Sequence, residues 1–149
     1  MKIWKCAVLW YLGGMSYVAL ELLWRGWSHG SMFVVGGVCF LLLGNVERLR
    51  LPLAVKMMAG ACLVTGLELL TGLVVNLGLG MDVWDYSGLP CNLLGQICLP
   101  YLLLWNPVAL GGMFLSRGLR RLLFGERKSS REPGPGSRNV IVRFQPEGL

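Results

Sequence analysis

The sequence predicts an all-α, polytopic membrane protein with four transmembrane helices. Of its 149 residues, 54% are hydrophobic and only 15% are charged, whereas soluble domains carry about 25% charged residues. The apolar residues fall into four long blocks, and a membrane span needs about 20 mainly apolar residues. Four such blocks leave too little polar sequence to cover the surface of a soluble protein.

The four predicted spans are joined by short connections. At about 1.5 Å per residue, the first, third and fourth are long enough to cross a hydrocarbon layer of about 30 Å. The second is short, so we expect it to extend through Glu47 or to stand nearly upright. The first begins like a signal peptide, but no small-residue cleavage site follows, so we expect it to be retained. The predicted spans are 3–24, 31–46, 53–79 and 92–114.

The positions of Lys and Arg predict the direction of the bundle. The first and third loops contain a single Lys or Arg, which is Arg25. These two loops also contain His29, Asp82 and Asp85. The positive-inside rule therefore places both termini and the middle loop in the cytoplasm of a multi-pass cell-membrane protein. The net charge of +6 comes from cations at the ends of the spans and in the tail. We expect these cations to contact the lipid bilayer, and we expect no nucleic-acid partner. The cytoplasmic cations are Lys2, Lys5, Arg48, Arg50, Lys56, Arg117, Arg120 and Arg121.

Composition separates a membrane domain from a tail. We expect residues 1–124 to form the four-helix domain, and its basic amphipathic end, 116–124, to lie on the inner leaflet. Residues 125–149 are rich in charged residues, Gly, Pro and Ser, which is typical of a disordered cytoplasmic tail.

Two short sequence matches predict an internal duplication. LELL occurs at 20–23 and again at 67–70, and FLLLGN at 40–45 is matched by YLLLWN at 101–106. Their order and direction suit a two-plus-two parallel repeat, a plan used by some transporters. Chance similarity in a Leu-rich chain is the alternative.

Polar side chains gather in the half of the bundle that this topology places outside. Glu68 is the strongest feature, because a charged side chain at mid-span costs about 2.5–3.5 kcal/mol and must be paired, protonated or facing water. Glu21 and Arg25 share a helix face at i and i+4, and we expect Arg25 to bridge Glu21 and Glu68. The expected cluster is Glu21, Arg25, His29, Glu68, Asn76, Trp84, Asp85, Tyr86, Asn92 and Gln96.

Two interpretations of this cluster stay open. It is either a structural set of ion pairs that orients the helices, or a site for a ligand or a proton. The carboxylates outnumber Arg25, which favours a cation or an amine, or a carboxyl kept protonated by desolvation. If Asp82 and Asp85 are solvated loop residues, most of this excess disappears.

Small residues and prolines predict how the helices pack. Pro100 and Pro107 are expected to kink the fourth span. Glycines inside the spans are expected to let helices approach closely. These are Gly13, Gly14, Gly36, Gly37, Gly60, Gly66 and Gly72.

The sequence carries no recognised catalytic or cofactor motif. It has neither GxxxxGK[ST] nor HExxH, and Cys91 and Cys98 lack the spacing of a zinc site. We therefore expect no ATPase activity of its own, no cofactor and no metal. The Glu/Arg/His/Asp cluster could still serve an intramembrane enzyme acting on lipid, so an enzyme, a lipid-binding protein and a structural or regulatory subunit stay as alternatives to a transporter.

Three segments carry a resemblance to a known family: ELLWRGWSHGSM at 21–32, ELLTGLVVN at 68–76 and VWDYSGLPCNLLGQICLPYLLLW at 83–105. They resemble the bacterial CmpB family, whose name assigns it to type IV ABC-transporter membrane proteins, and they are similar to the animal family called transmembrane protein 229. The resemblance implies a multi-span protein of transporter or permease type. We expect it to work as a homo-oligomer or beside a separate ATPase subunit.

Overall fold

A computed structural model, which describes residues 2–126, shows a bundle of four helices. Each helix is long and apolar enough to cross a membrane. The predicted all-α fold with four spans is therefore confirmed, whereas the internal repeat stays a prediction and the tail beyond residue 126 lies outside the described residues. The helices are α1 (Ile3–Arg25), α2 (Gly30–Arg48), α3 (Leu53–Gly72), which continues as a π-helical segment (Leu73–Gly78), and α4 (Leu99–Phe124).

The turn between α1 and α2 shows how local sequence ends one helix and starts the next. Gly26 adopts φ 78°, and its N–H bonds the carbonyl of Leu22, which caps α1. His29 caps α2, because its ring accepts a hydrogen bond from the backbone N–H of Ser31. α2 then continues to Arg48, so the predicted extension of the second span through Glu47 is confirmed.

The fourth helix differs from the predicted one at both ends. The sequence predicts a span over 92–114, whereas α4 covers Leu99–Phe124. Asn92 and Gln96 therefore lie in the connection 79–98 and not in a helix.

Backbone conformation explains why the connection 79–98 does not continue α4. Cys91 and Leu94 have φ values of 53° and 54°, in the left-handed region that interrupts an α-helix. The helix starts instead with Pro100 in its first turn, where a missing N–H costs nothing. Pro100 therefore does not kink α4, contrary to the prediction, and Pro107 is the proline inside the helix.

The basic stretch 116–124 forms the last turns of α4, and its contact with the inner leaflet stays a prediction. Two ion pairs tie this end of α4 to the end of α2. Arg117 Nη1 lies 3.7 Å from Glu47 Oε1, and Glu126 Oε2 lies 2.6 Å from Arg48 Nη2. The end of the bundle that carries these pairs is the one predicted to be cytoplasmic.

Glycines allow close approach of the helices. A Cβ at Gly13 would meet the side chain of Phe40, and one at Gly36 would meet Tyr17, so α1 and α2 could not pack as they do with larger residues. The prediction fails at Gly66, where a Cβ would meet nothing within 4 Å. A Cβ at Gly72 would meet Gln96, which lies in the connection 79–98 and not in a helix. The prediction is confirmed for Gly13, Gly14, Gly36, Gly37 and Gly60.

Candidate functional site

A cavity of about 290 Å³ lies between α1, α3, α4 and the connection 79–98. Its charged lining residues are Glu21 and Arg25 from α1 and Glu68 from α3. The cavity is otherwise apolar and rich in aromatic rings. The aromatic residues that line it are Tyr17, Trp24, Trp84, Tyr86, Tyr101 and Trp105.

Helical spacing brings these side chains to one place. On α1 the lining residues other than Arg25 are Tyr17, Leu20, Glu21 and Trp24, and on α4 they are Tyr101, Leu104, Trp105 and Val108. Both sets follow the spacing i, i+3, i+4 and i+7, which places them on one face of each helix. Each of the two helices therefore presents a single face with two aromatic rings to the cavity.

Glu68 is buried, with 4% of its surface exposed, and two aromatic donors bind its carboxylate. The hydroxyl of Tyr86 lies 3.2 Å from Oε1, and the indole Nε1 of Trp105 lies 2.9 Å from Oε2. Among residues 2–126, no Lys, Arg or His lies within 4 Å of this carboxylate. Glu68 is thus held by neutral donors and not by an ion pair.

Arg25 is engaged away from Glu68. Its Nη2 lies 2.6 Å from Oε1 of Glu21, and its Nη1 donates to the carbonyl of Val83 at 3.1 Å. Its guanidinium also lies over the ring of Trp27, 4.2 Å from the centroid.

The predicted bridge from Arg25 to Glu68 is therefore wrong. The guanidinium of Arg25 binds Glu21, its i, i+4 partner, and the carbonyl of Val83 in the connection 79–98. Ser28 Oγ donates to the other carboxylate oxygen of Glu21 at 2.5 Å. The cavity consequently contains one neutralised pair and one carboxylate with no opposite charge beside it.

A buried polar network fixes the connection 79–98 against the bundle. Asn76 donates to the carbonyl of Trp84 at 2.9 Å and to Oε1 of Gln96 at 2.8 Å, and it accepts from the N–H of Val83 at 2.8 Å. Asn76 lies in the π-helical segment, a rare geometry that is frequent at functional sites. Asn76 and Gln96 thus position the connection, and neither lines the cavity.

The WDYS segment has a separate task for each residue. Trp84 Nε1 donates to the carbonyl of Gln96 at 3.0 Å, and Tyr86 reaches Glu68. Asp85 accepts from the N–H and the hydroxyl of Ser87, both at 2.8 Å, and these hydrogen bonds lower the pKa of Asp85 below its usual value. Asp85 is exposed and shapes the turn, so its charge does not face the cavity.

Asn92 also shapes the connection. Its amide donates to the carbonyls of Ser87 at 3.0 Å and Leu89 at 2.9 Å, and its oxygen accepts from the N–H of Gly95. Within the described residues, no group of three or more His, Cys, Asp or Glu side chains is placed to hold a metal ion.

Comparison with protein families identifies one family whose sequence model matches the chain. The sequence model of CmpB, a family described as "Putative ABC-transporter type IV", matches residues 6–124. The chain belongs to this CmpB family. The match runs from the first turn of α1 to the last residue of α4, so it includes the whole cavity. No curated protein and no solved structure matches the chain.

Membership of the CmpB family and four apolar helices together fit a membrane transporter-type protein, as the sequence predicts at that level. Within this CmpB chain, the structure divides the predicted polar cluster in two. Cavity-lining members are Glu21, Arg25, Glu68, Trp84 and Tyr86, whereas His29, Asn76, Asp85, Asn92 and Gln96 cap a helix or shape the connection.

Sequence reasoning missed four aromatic residues of the cavity. Tyr17 and Trp105 are stacked, with ring centroids 6.0 Å apart, and Trp24 Nε1 lies 3.3 Å from the hydroxyl of Tyr101. Both contacts join α1 to α4 beside the cavity. The helical spacing of these residues to Glu21 and to one another was the available signal.

Proposed function

We propose that this CmpB-family protein is the permease component of a transporter and that its substrate binds in the cavity around Glu68. The observation that carries the proposal is a buried carboxylate, next to an open cavity, that has no ion-pair partner among residues 2–126. Ionisable groups inside membrane proteins usually face a cavity or a substrate path. A purely structural carboxylate would be expected to pair with Arg25, the cation that shares its cavity.

The proposed orientation places the cavity in the outer half of the membrane, with both termini in the cytoplasm. The distribution of Lys and Arg supports this direction. The ion pairs of Glu126 with Lys5 and Arg48 lie at the opposite end, where α1 starts and α2 and α4 end. In this arrangement the outer side admits substrate and the basic end faces a cytoplasmic partner.

Four helices enclose little volume, so we propose that the translocation path forms between copies of the chain or against a second subunit. A separate ATPase subunit would supply the energy, since the sequence holds no phosphate-binding GxxxxGK[ST] motif. The family description supports this assignment.

Transport by native membranes tests the proposal. A host strain that lacks its own copy would be complemented with the wild type, Glu68→Gln or Asp82→Asn, and right-side-out vesicles would be loaded with ATP, which then reaches the cytoplasmic face. Accumulation of labelled small organic cations, anions and zwitterions would be measured. Asp82→Asn is the matched control, because it also removes one carboxylate, from an exposed position outside the cavity.

The expected result is ATP-dependent accumulation of one charge class by the wild type and by Asp82→Asn, with at least about tenfold less in Glu68→Gln, equivalent to about 1.4 kcal/mol. Wild-type vesicles that accumulate no more than the deletion strain would contradict the permease role. Full transport by Glu68→Gln would remove the cavity from the path.

A further inference from the structure

We propose that the cavity binds an amphiphilic organic cation, with its ammonium group beside Glu68 and its alkyl chain in an adjoining apolar groove. This inference rests on the proposed function and names its substrate class. It draws on three features: the charge of the cavity, the aromatic rings around it, and a second cavity that shares one of its walls.

The charge of the cavity selects a cation. Glu21 and Arg25 form an ion pair at 2.6 Å, and within residues 2–126 Glu68 has no ion-pair partner of its own. A buried charge is costly unless it is paired. A monovalent cation completes the balance, whereas an anion would face Glu68 across a mainly apolar cavity.

The aromatic rings select an organic ammonium group over a hydrated metal ion. Tyr86 and Tyr101 are stacked at 4.5 Å, and Trp84 and Trp105 line the same cavity. Ring faces attract cations, and cages of such rings bind quaternary ammonium groups, with about 2 kcal/mol or more for a desolvated contact. The carboxylate of Glu68 lies among these rings and would supply the opposite charge.

A second cavity of about 470 Å³ continues from the first along α1 and α4. The two cavities share the side chains of Tyr17, Leu20, Trp105 and Val108. Its lining is apolar, and the hydroxyl of Ser16, which also lines it, is satisfied by the carbonyl of Leu12 at 2.8 Å. This second cavity, here named the tail groove, therefore suits a hydrocarbon and offers little to a polar ligand.

The dimensions of the tail groove fit an alkyl chain. Its lining extends from Gly13 to Leu23 on α1 and from Trp105 to Leu115 on α4, about 15 Å along each helix at 1.5 Å per residue. Gly111 belongs to this lining, and a Cβ there would meet nothing within 4 Å. A chain bound here would lie along the helix axes, as the acyl chains of the bilayer do.

Exposure supports entry from the membrane. Leu20 is 50% exposed and Leu115 is 43% exposed on the surfaces that face lipid. A helix from a second copy could cover the tail groove, but it would leave Glu68 unbalanced. A single amphiphile with a cationic head satisfies both the carboxylate and the groove.

Binding measurements in nanodiscs test the inference. The full chain would be titrated with dodecyltrimethylammonium, tetramethylammonium and dodecyl sulfate while tryptophan fluorescence is recorded, with empty nanodiscs as the blank. Glu68→Gln tests the charge, and Tyr101→Leu against Tyr101→Phe tests the aromatic ring. Gly111→Leu fills the groove, and Gly66→Leu is its matched control, because Gly66 is also a helical glycine with open space around it and lines neither cavity.

We expect dodecyltrimethylammonium to bind at least about tenfold more tightly than tetramethylammonium, a difference of about 1.4 kcal/mol. Glu68→Gln and Tyr101→Leu should weaken the binding of both cations, Tyr101→Phe should weaken it less than Tyr101→Leu does, and Gly66→Leu should leave it unchanged. Gly111→Leu should weaken the dodecyl compound alone. Equal affinity for dodecyl sulfate, or no effect of Glu68→Gln and Tyr101→Leu, would overturn the inference.

Two further outcomes separate this inference from neighbouring ones. If Gly111→Leu changes the oligomeric state in native mass spectrometry, the groove is an interface between copies and the inference is wrong. Selective binding of the dodecyl cation without transport in vesicles would end the permease proposal and leave this inference standing. If the vesicles transport short cations and Gly111→Leu does not affect this transport, the permease proposal stands and this inference is wrong.

Discussion

The hydroxyl of Tyr86 lies 3.2 Å from the carboxylate of Glu68, which joins the connection 79–98 to the middle of the bundle. The same carboxylate accepts from Trp105 of α4 at 2.9 Å. Three parts of the chain that are far apart in sequence thus meet at one buried side chain. Any change at Glu68 is therefore expected to affect both the position of the connection and the shape of the cavity.

Tyr86→Phe should destabilise the protein by about 1–3 kcal/mol, the range for a buried acceptor that loses its donor. The variant keeps the ring that stacks on Tyr101 and removes the donor to Glu68. Thermal unfolding of the purified protein in one detergent would measure the effect. Tyr101→Phe is the control, because its hydroxyl accepts an exposed hydrogen bond from Trp24. A loss in Tyr86→Phe no larger than in this control would contradict the prediction.

Arg25→Lys should be nearly as destabilising as Arg25→Gln, with a loss of about 1–3 kcal/mol for the unsatisfied partners. The guanidinium reaches Glu21 and the carbonyl of Val83 through different nitrogens while it stacks on Trp27, and an ammonium group has no such planar fork.

The matched control for Arg25 is Arg48→Lys, at an exposed ion pair with Glu126. Exposed pairs contribute about 0–1 kcal/mol, so this substitution should change stability little. Melting curves of Arg25→Lys that coincide with the wild type would show that only the positive charge of Arg25 matters.

The four helices could be predicted because the length of an apolar segment can be read directly from the residue types. α1 and α2 extend only one to three residues beyond the predicted bounds, and α3 with its π-helical segment ends one residue short of the predicted Leu79. The start of α4 could not be predicted, because residues 93–97 are as apolar as a span. Left-handed φ angles at Cys91 and Leu94 decide that they form a loop, and residue type does not encode those angles.

The charged residues of the cavity could also be predicted from the sequence. Glu21 and Glu68 stand out because carboxylates are rare inside spans. The full set of partners of Arg25 could not be predicted. One of them is the backbone carbonyl of Val83, which a loop brings close from 58 positions away in the sequence. Tyr17 and Trp105 were missed because aromatic residues are common in membrane helices, and only their spacing marks them.

Asn76→Leu should release the connection 79–98 from the bundle. The substitution leaves the N–H of Val83 and the carbonyl of Trp84 without their buried partner, at about 1–3 kcal/mol for each unsatisfied group. Hydrogen exchange should therefore accelerate across the connection. Asn92→Ala, at an exposed position, should accelerate exchange only around the turn near Ser87. Unchanged protection in Asn76→Leu would show that the network is dispensable.

Asp85 should make the turn at residues 85–87 sensitive to acid. Its pKa is lowered by hydrogen bonds from Ser87, so its contribution is fully present above the ordinary aspartate pKa of about 3.9 and is lost as pH falls through the lower folded value. NMR or hydrogen exchange of the Ser87 amide should show constant protection from neutral pH to about pH 5, and loss below about pH 4. Loss of protection between pH 7 and pH 5 would assign the effect to another group.

Gly36→Ala and Gly66→Ala should have opposite effects although both add one methyl group inside a span. A Cβ at Gly36 would meet Cβ and Cγ of Tyr17, so α1 and α2 must separate, at about 1–3 kcal/mol for an overpacked core. At Gly66 the methyl meets nothing within 4 Å, and alanine should raise stability by up to about 1 kcal/mol through its higher helix propensity.

The effect of Gly36→Ala should also reach the cavity, because Tyr17 stacks on Trp105 and Trp105 donates to Glu68. Thermal unfolding would measure stability, and the tryptophan emission spectrum would report the displaced stack. We expect a lower melting temperature and a shifted spectrum for Gly36→Ala, and neither for Gly66→Ala. A shifted spectrum in both variants would mean that the added methyl acts through the helix backbone and not through contact with Tyr17.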